Sequence, residues 1–224
     1  YSYQVSNGEY KGIDVELAKE AFRRLGYRPK FENIVWEDKD ELLADGTVDC
    51  LWSSYSMNGR EDKYQWAGPY LYSRQMVVVK NESEIQTLSD LKGKRIAVQA
   101  TTKAEDLFLH NIKSDLPQMQ QVNCFSTTNE IYAALRKSYV DAIAGHEAML
   151  GSLVKEGKDA YRMLDESIYK SELGVAFKKG THEEVAADLT ETLKKLQREG
   201  ITEKIVTKYG LDADEILPEG EQNE

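Results

Sequence analysis

An α/β fold is predicted by two features of this chain. Amphipathic helical stretches alternate with short β-prone runs along its length, and two stronger β runs, 73–80 and 172–178, each stand between blocks of alternating elements. Such alternation reads as mainly parallel sheets flanked by helices. Composition bounds the class further. At 224 residues, 41% hydrophobic and 30% charged, the chain suits one large globular domain or two lobes. No apolar run approaches the roughly 18 residues of a membrane helix. The net charge of -10 argues against a nucleic-acid partner, which would need concentrated Lys and Arg. No signal-peptide pattern opens the sequence, so any targeting or anchoring segment is expected to lie outside it.

Taken in order, Ile13, Leu17, Ala21, Phe22 and Leu25 share one face at helical spacing, with Gly26 placed as a left-handed stop. Residues 29–35 read as a strand, 39–44 as a short helix and 48–54 as a strand, with Gly46 between the last two. The run 73–80, built on Gln75-Met76-Val77-Val78-Val79, is strongly β-prone and is followed by the polar stretch 81–86. Residues 95–99 form the next expected strand. Thr102-Lys103-Ala104-Glu105 has capping-box spacing and opens a helix carrying Leu107 and Ile112. After a strand at 120–126, Thr127-Thr128-Asn129-Glu130 offers a second box before Ile131, Ala134 and Leu135. Residues 141–145 read as a strand, and 172–178 alternates Leu173, Val175 and Phe177. Thr181-His182-Glu183-Glu184 is a third box, ahead of a stripe of Val185, Leu189, Leu193 and Leu196 that Gly200 ends. A last helix at 201–209 closes on Gly210, and the acidic, apolar-poor 212–224 reads as a loose tail or linker.

Cys50 and Cys124 could pair in an exported chain, but both lie in segments that read as buried strands of different lobes, so two buried free thiols are expected. His110, His146 and His182 are scattered and show no ligand spacing around either cysteine, so no metal site is expected. No nucleophile–base constellation emerges either. Arg60 is the best single candidate for ligand chemistry. A guanidinium offers two parallel donors matched to a carboxylate, although a surface arginine paired with Glu61 or Asp62 fits the residues alone. Tyr1, Tyr3, Trp52, Tyr55 and Trp66 could wall a small solute, and Ser53 and Ser54 could add hydroxyls. Thr102, at a helix start, suits an anion, and it is also read as a plain cap.

The stretch Gly12-Ile13-Asp14-Val15-Glu16-Leu17-Ala18-Lys19, followed by Arg60 and by Gly68-Pro69-Tyr70, resembles the opening of extracytoplasmic solute-binding proteins of the amino-acid-binding type. The resemblance runs from residue 1 to about residue 210. It implies a two-lobed periplasmic-binding-protein type II-like fold with two crossover hinge strands. Lobe 1 would be residues 1–76 plus 177–224, lobe 2 would be 77–176, and the ligand would lie between them. A short strand usual in relatives would have to precede Tyr1. Arg60 would fork onto a ligand carboxylate, Tyr3 and Tyr55 would lie nearest the ligand with Ser53 and Trp52 beside them, and Thr102 would complete the clamp. Relatives carry a Gly-Thr-Thr-like run where this chain reads Gln99-Ala100-Thr101-Thr102, so Thr101 would stand in the glycine's place or one residue is deleted. Where relatives place an aspartate against the ligand's ammonium, this chain has His146, with Glu147 next to it. Glu147 either replaces that aspartate or serves only as a helix N-terminal charge.

The implied function is extracytoplasmic binding of a small amino acid or carboxylic acid, without a cofactor. The partner would be an ABC transporter permease or the chain's own membrane-signalling domains, with tethering to the membrane. The segments 50–60, 100–103 and 144–147 resemble sensor-fused members more than free receptors. An enzyme of the cyclohexadienyl-dehydratase kind is the remaining alternative, for which His146 or Glu147 would have to act as the general acid.

Overall fold

The computed structural model describes residues 1–6, 8–110, 115–157 and 159–218. The chain runs β1 (Tyr3–Gln4), β2 (Tyr10–Lys11), α1 (Ile13–Arg24), α2 (Lys39–Ala44), β3 (Cys50–Ser56) and β4 (Tyr64–Lys80). It continues through β5 (Arg95–Gln99), α3 (Lys103–Phe108), β6 (Gln121–Phe125), α4 (Thr128–Arg136), β7 (Ala142–His146) and α5 (Glu147–Glu156). The last elements are β8 (Tyr161–Met163), β9 (Tyr169–Lys178), α6 (Glu183–Arg198), α7 (Ile201–Lys208) and α8 (Ala213–Ile216). Two compact units result. The first holds Tyr1–Ile34, Asp38–Ser73 and the described residues from Ser171 onward; the second holds Val35–Glu37 and Arg74–Lys170.

In the first unit, α1 turns Ile13, Leu17 and Ala21 into a core shared with Leu189, Leu193 and Leu196 of α6, Val206 of α7 and Leu71, Val175 and Phe177 of the strands. These positions repeat every three or four residues along the helices, which is why each helix has one buried stripe. Gly26 follows α1 at φ 81°, the left-handed stop expected there. β9 lies between β3 and β4 and pairs with β3 antiparallel.

On the rim of α1, the Glu20 carboxylate accepts from Arg23 Nε at 2.9 Å and from Arg24 Nε at 2.8 Å. These bonds hold its pKa down at about 2, against an ordinary value of 4.5. A depressed carboxylate contributes its stability in full above the unfolded value and loses it as pH falls through the folded one. Glu20→Gln should therefore cost under about 1 kcal/mol at neutral pH, as exposed pairs do. The difference from wild type should shrink below pH 4.5 and vanish near pH 2 in urea unfolding curves.

In the second unit, residues 75–79 of β4 pair antiparallel with β7, and β8 pairs with β4 at residues 78–80. β5 runs parallel to both β6 and β7. Alternate residues go to opposite faces. Val77, Val79, Ile96 and Val98 meet Leu107 and Phe108 of α3 on one side. Met76, Val78, Ala97 and Ile143 meet Ile131 and Leu135 of α4 and Leu150 of α5 on the other. A strand covered on both faces needs an unbroken apolar run, and Met76-Val77-Val78-Val79 supplies one.

Several expectations are corrected. The strands are not mainly parallel: β3–β9, β4–β7 and β4–β8 are antiparallel. Residues 29–35 form no strand; Val35 is 56% exposed and Lys30 pairs with Glu32 in solvent, so neither face buries enough to hold a ladder. β3 sits two residues later than expected, and β4 begins at Tyr64, upstream of the Gly68-Pro69 pair that reads as a turn. Of the three capping boxes only the second forms around an α-helix, with Thr127 Oγ1 accepting from Glu130 N at 3.3 Å and Thr127 N donating to the Glu130 carboxylate at 2.9 Å. In the first, the Thr102 hydroxyl donates instead to Gln99 O at 2.7 Å, and Glu105 takes the Thr101 amide. In the third, His182 flanks α6 in a left-handed conformation (φ 55°) and the Thr181 hydroxyl donates to Lys178 O at 2.8 Å. The segment after 212 is not all loose: α8 forms there and Ile216 is buried in the core of its unit. Ile112 and residues 219–224 lie outside the described residues. Both cysteines are unpaired, but neither is fully buried: Cys124 is exposed and Cys50 half-buried, its thiol pushed up to about 12 by desolvation.

Candidate functional site

The candidates of the first unit cluster where β3 leaves the regular ladder. Its register with β9 passes from Leu51↔Ala176 to Tyr55↔Gly174, so Trp52, Ser53 and Ser54 stand opposite Val175 alone. Such a bulge breaks the alternation of side chains and re-aims those that follow. Ser54 takes the left-handed conformation, φ 52°. Its amide and hydroxyl both donate to Asp14 Oδ2, at 2.9 and 3.1 Å, while the Tyr70 hydroxyl donates to Oδ1 at 2.7 Å. Asp14 is 1% exposed. Burial raises its pKa above the carboxylate norm against the pull of these hydrogen bonds, and burial beside Asp14 pushes the Tyr70 phenol well up.

Beyond the bulge, Tyr55 is buried, with its hydroxyl 2.8 Å from that of Tyr64 and its ring packed on Trp66 and Tyr64. The Arg60 guanidinium carbon lies 5.3 Å from the Tyr55 ring centroid, and Arg60 Nη1 donates to Ser56 O at 3.3 Å. The turn carrying Arg60 is closed by Arg60 N to Met57 O at 2.9 Å and by Trp66 Nε1 to Arg60 O at 3.0 Å. Asn58 ties the same turn to β9: its Oδ1 accepts from Glu172 N at 2.8 Å and its Nδ2 donates to the Glu172 carboxylate at 3.2 Å. Ser53 is exposed, its Oγ 3.1 Å from Ser2 Oγ, and Tyr3 on β1 is half exposed. Trp52 is turned into the core, between Phe22 and Tyr70 at ring distances of 5.9 and 5.5 Å. Its Nε1 is buried and has no hydrogen-bond partner among the described residues.

The candidates of the second unit are Thr102, His146 and Glu147. Thr102 bonds back to Gln99 and does not cap α3. Thr101 takes the left-handed conformation, φ 58°. His146 ends β7, and the Gln75 amide nitrogen lies 3.0 Å from its Nδ1, a donor facing a ring nitrogen that accepts in the neutral imidazole. Glu147 opens α5 and takes a two-point ion pair from Arg74, with Nε at 2.8 Å and Nη2 at 2.5 Å. Among the described residues no group of His, Cys, Asp and Glu is placed to hold a metal.

Sequence reasoning passed over Asp14 and Arg74. Asp14 stands three residues before Leu17 and seven before Ala21, which puts it on the buried stripe, a signal that was available. Arg74 is a lone charge beside the apolar run of β4, and nothing local names its partner 73 residues away.

A family model of bacterial extracellular solute-binding proteins, family 3, matches residues 1–212. The chain is 26% identical over 212 residues to the L-cystine-binding protein TcyJ of Escherichia coli (strain K12), covering 93% of this chain and 77% of that protein. Among solved structures, the substrate-binding protein of an amino acid ABC transporter superposes with a TM-score of 0.82 at 26% identity, over 94% of this chain and 93% of the other. An ancestral amino-acid-binding protein described as a precursor of cyclohexadienyl dehydratase superposes at 0.81 with 24% identity, over 93% and 89%, a likeness of fold.

Proposed function

The chain belongs to the bacterial extracellular solute-binding proteins, family 3, and from that premise we propose that it binds a small amino-acid-like solute through Arg60 and serves as the receptor of an ABC transporter. The observation that carries this reading is the Arg60 guanidinium, set over the Tyr55 ring and steadied by Ser56 O, a fork suited to a carboxylate. The proposal includes closure of the two lobes about the crossing strands on binding, tethering to the outer face of a membrane, and no turnover of the solute. Tyr3, Tyr55 and Ser53 are proposed near the ligand from the first unit, and Thr102 and His146 from the second. Trp52, partly buried against the core of its unit, is proposed to back them.

A second reading is favoured by the ion pair at α5. Glu147 has both carboxylate oxygens engaged by Arg74, so the acidic group that would meet an ammonium is already neutralised. A carboxylic acid without an amine would then bind as well as an amino acid. Titration calorimetry on Glu147→Gln separates the two. If Glu147 stays with Arg74, amino-acid affinity should fall less than about fivefold, the effect of a half-exposed pair. A loss of a hundredfold for amino acids, with amine-free acids unaffected, would mean that Glu147 leaves Arg74 for the ammonium. A folded chain that binds neither class ends the proposal.

A further inference from the structure

We propose that Asp14 is a positioning residue for Arg60: its buried carboxylate fixes the bulge in β3 from which Tyr55 and Ser56 hold the guanidinium. The consequence for binding rests on the reading of Arg60 given above; the structural coupling does not. The amide and the hydroxyl of Ser54 converge on one Asp14 oxygen, so backbone and side chain are oriented together. Left-handed backbone is costly for serine, and these two bonds offset that cost where the register slips. Tyr70 occupies the other oxygen and ties the carboxylate to β4. The strand then resumes at Tyr55 and Ser56, both of which contact the Arg60 guanidinium.

A carboxylate suits this place for two reasons. Its two oxygens accept from all three donors, whereas an amide has one acceptor and would turn an NH2 toward a donor. It also sits in the first turn of α1, where the helix favours negative charge. A buried polar group so fully bonded specifies one local geometry.

The test uses hydrogen exchange by NMR on the free protein. Asp14→Asn should speed exchange of the Arg60 amide and the Trp66 indole N–H at least about tenfold, as local opening does, while Ile96, Ala97 and Val98 of β5 stay unchanged. Should Asp14→Asn fail to fold, Tyr70→Phe removes one of the three bonds, keeps the ring, and should move the same two sites in the same direction. In a second arm, L-glutamine, L-arginine and L-cystine are titrated into wild type, Asp14→Asn, Arg60→Lys and the double variant. For whichever binds, Asp14→Asn should weaken affinity about tenfold alone and less than about twofold on Arg60→Lys, because the two residues act through one another. Unchanged exchange at Arg60 and Trp66, or acceleration spread equally to β5, overturns the inference. Altered exchange at those two sites in a chain that binds none of the common α-amino acids leaves Asp14 in its role and overturns the functional reading instead.

Discussion

Arg60→Ala is expected to weaken the true ligand by roughly 2–4 kcal/mol, thirty- to a thousandfold, the range for truncating one partner of a desolvated, hydrogen-bonded charge pair. The side chain is positioned before any ligand arrives: its guanidinium rests on the Tyr55 ring, and Ser56 O takes one of its donors. Little conformational entropy then remains to be lost on binding. Stability should change far less than affinity, because Arg60 is outside the core of its unit. Arg60→Lys should recover only part of the loss, since an ammonium cannot fork onto a carboxylate. Unchanged affinity in calorimetry would make Arg60 a surface residue and the assigned ligand contact wrong.

Gly12→Ala should cost roughly 3 kcal/mol or more in stability, where strained backbone and a steric clash add. Gly12 has φ 125°, which L side chains rarely adopt, and a Cβ there would lie 2.0 Å from Tyr1 O and 2.9 Å from Ser2 Cα. Both are backbone atoms, so no side chain can swing aside. The amide of Gly12 donates to the Tyr209 hydroxyl at 3.1 Å, and Asp14 N donates to Tyr1 O at 3.2 Å, which draws these segments together. Gly26 is the control: φ is 81° but nothing lies within 4 Å of an added Cβ. Gly26→Ala should cost about 1 kcal/mol, the left-handed penalty alone. Equal urea midpoints for the two variants would contradict the close approach at Gly12.

The elements that could be read in advance are those whose signal is local. The stripe Leu189, Leu193 and Leu196 and the β-prone run Met76–Val79 announce a one-sided helix and a strand, and both form as expected; that the strand is covered on both faces is seen only in the fold. What failed depended either on partners far away in the chain or on a competing bond within the same turn. Residues 29–35 have β-prone composition but no strand to pair with, and a ladder is a property of two segments. Two of the three helix-start patterns at threonines were taken by other bonds: Thr102 had Gln99 O within reach, and Thr181 had Lys178 O. At the candidate site the charged residue types were legible, but their pairing was not. Glu147 was readable as a helix-start charge, yet its hold on Arg74 required β4 and α5 to meet. Asp14 was readable as the first acid of a helix, yet its task at Ser54 arises from a bulge that period-two alternation cannot foresee.

Binding of a free amino acid by the wild-type chain can be read in a thermal-shift screen. The common α-amino acids should be run beside keto, dicarboxylic and other amine-free acids, at pH values on either side of the ordinary histidine range. At least one α-amino acid should raise the unfolding midpoint in a concentration-dependent way, as a ligand that binds only the folded state must, and Arg60→Ala should abolish the shift. Stabilisation by amine-free acids alone, weakening as pH rises through the histidine range, would contradict amino-acid binding and make His146 the charge that chooses the ligand.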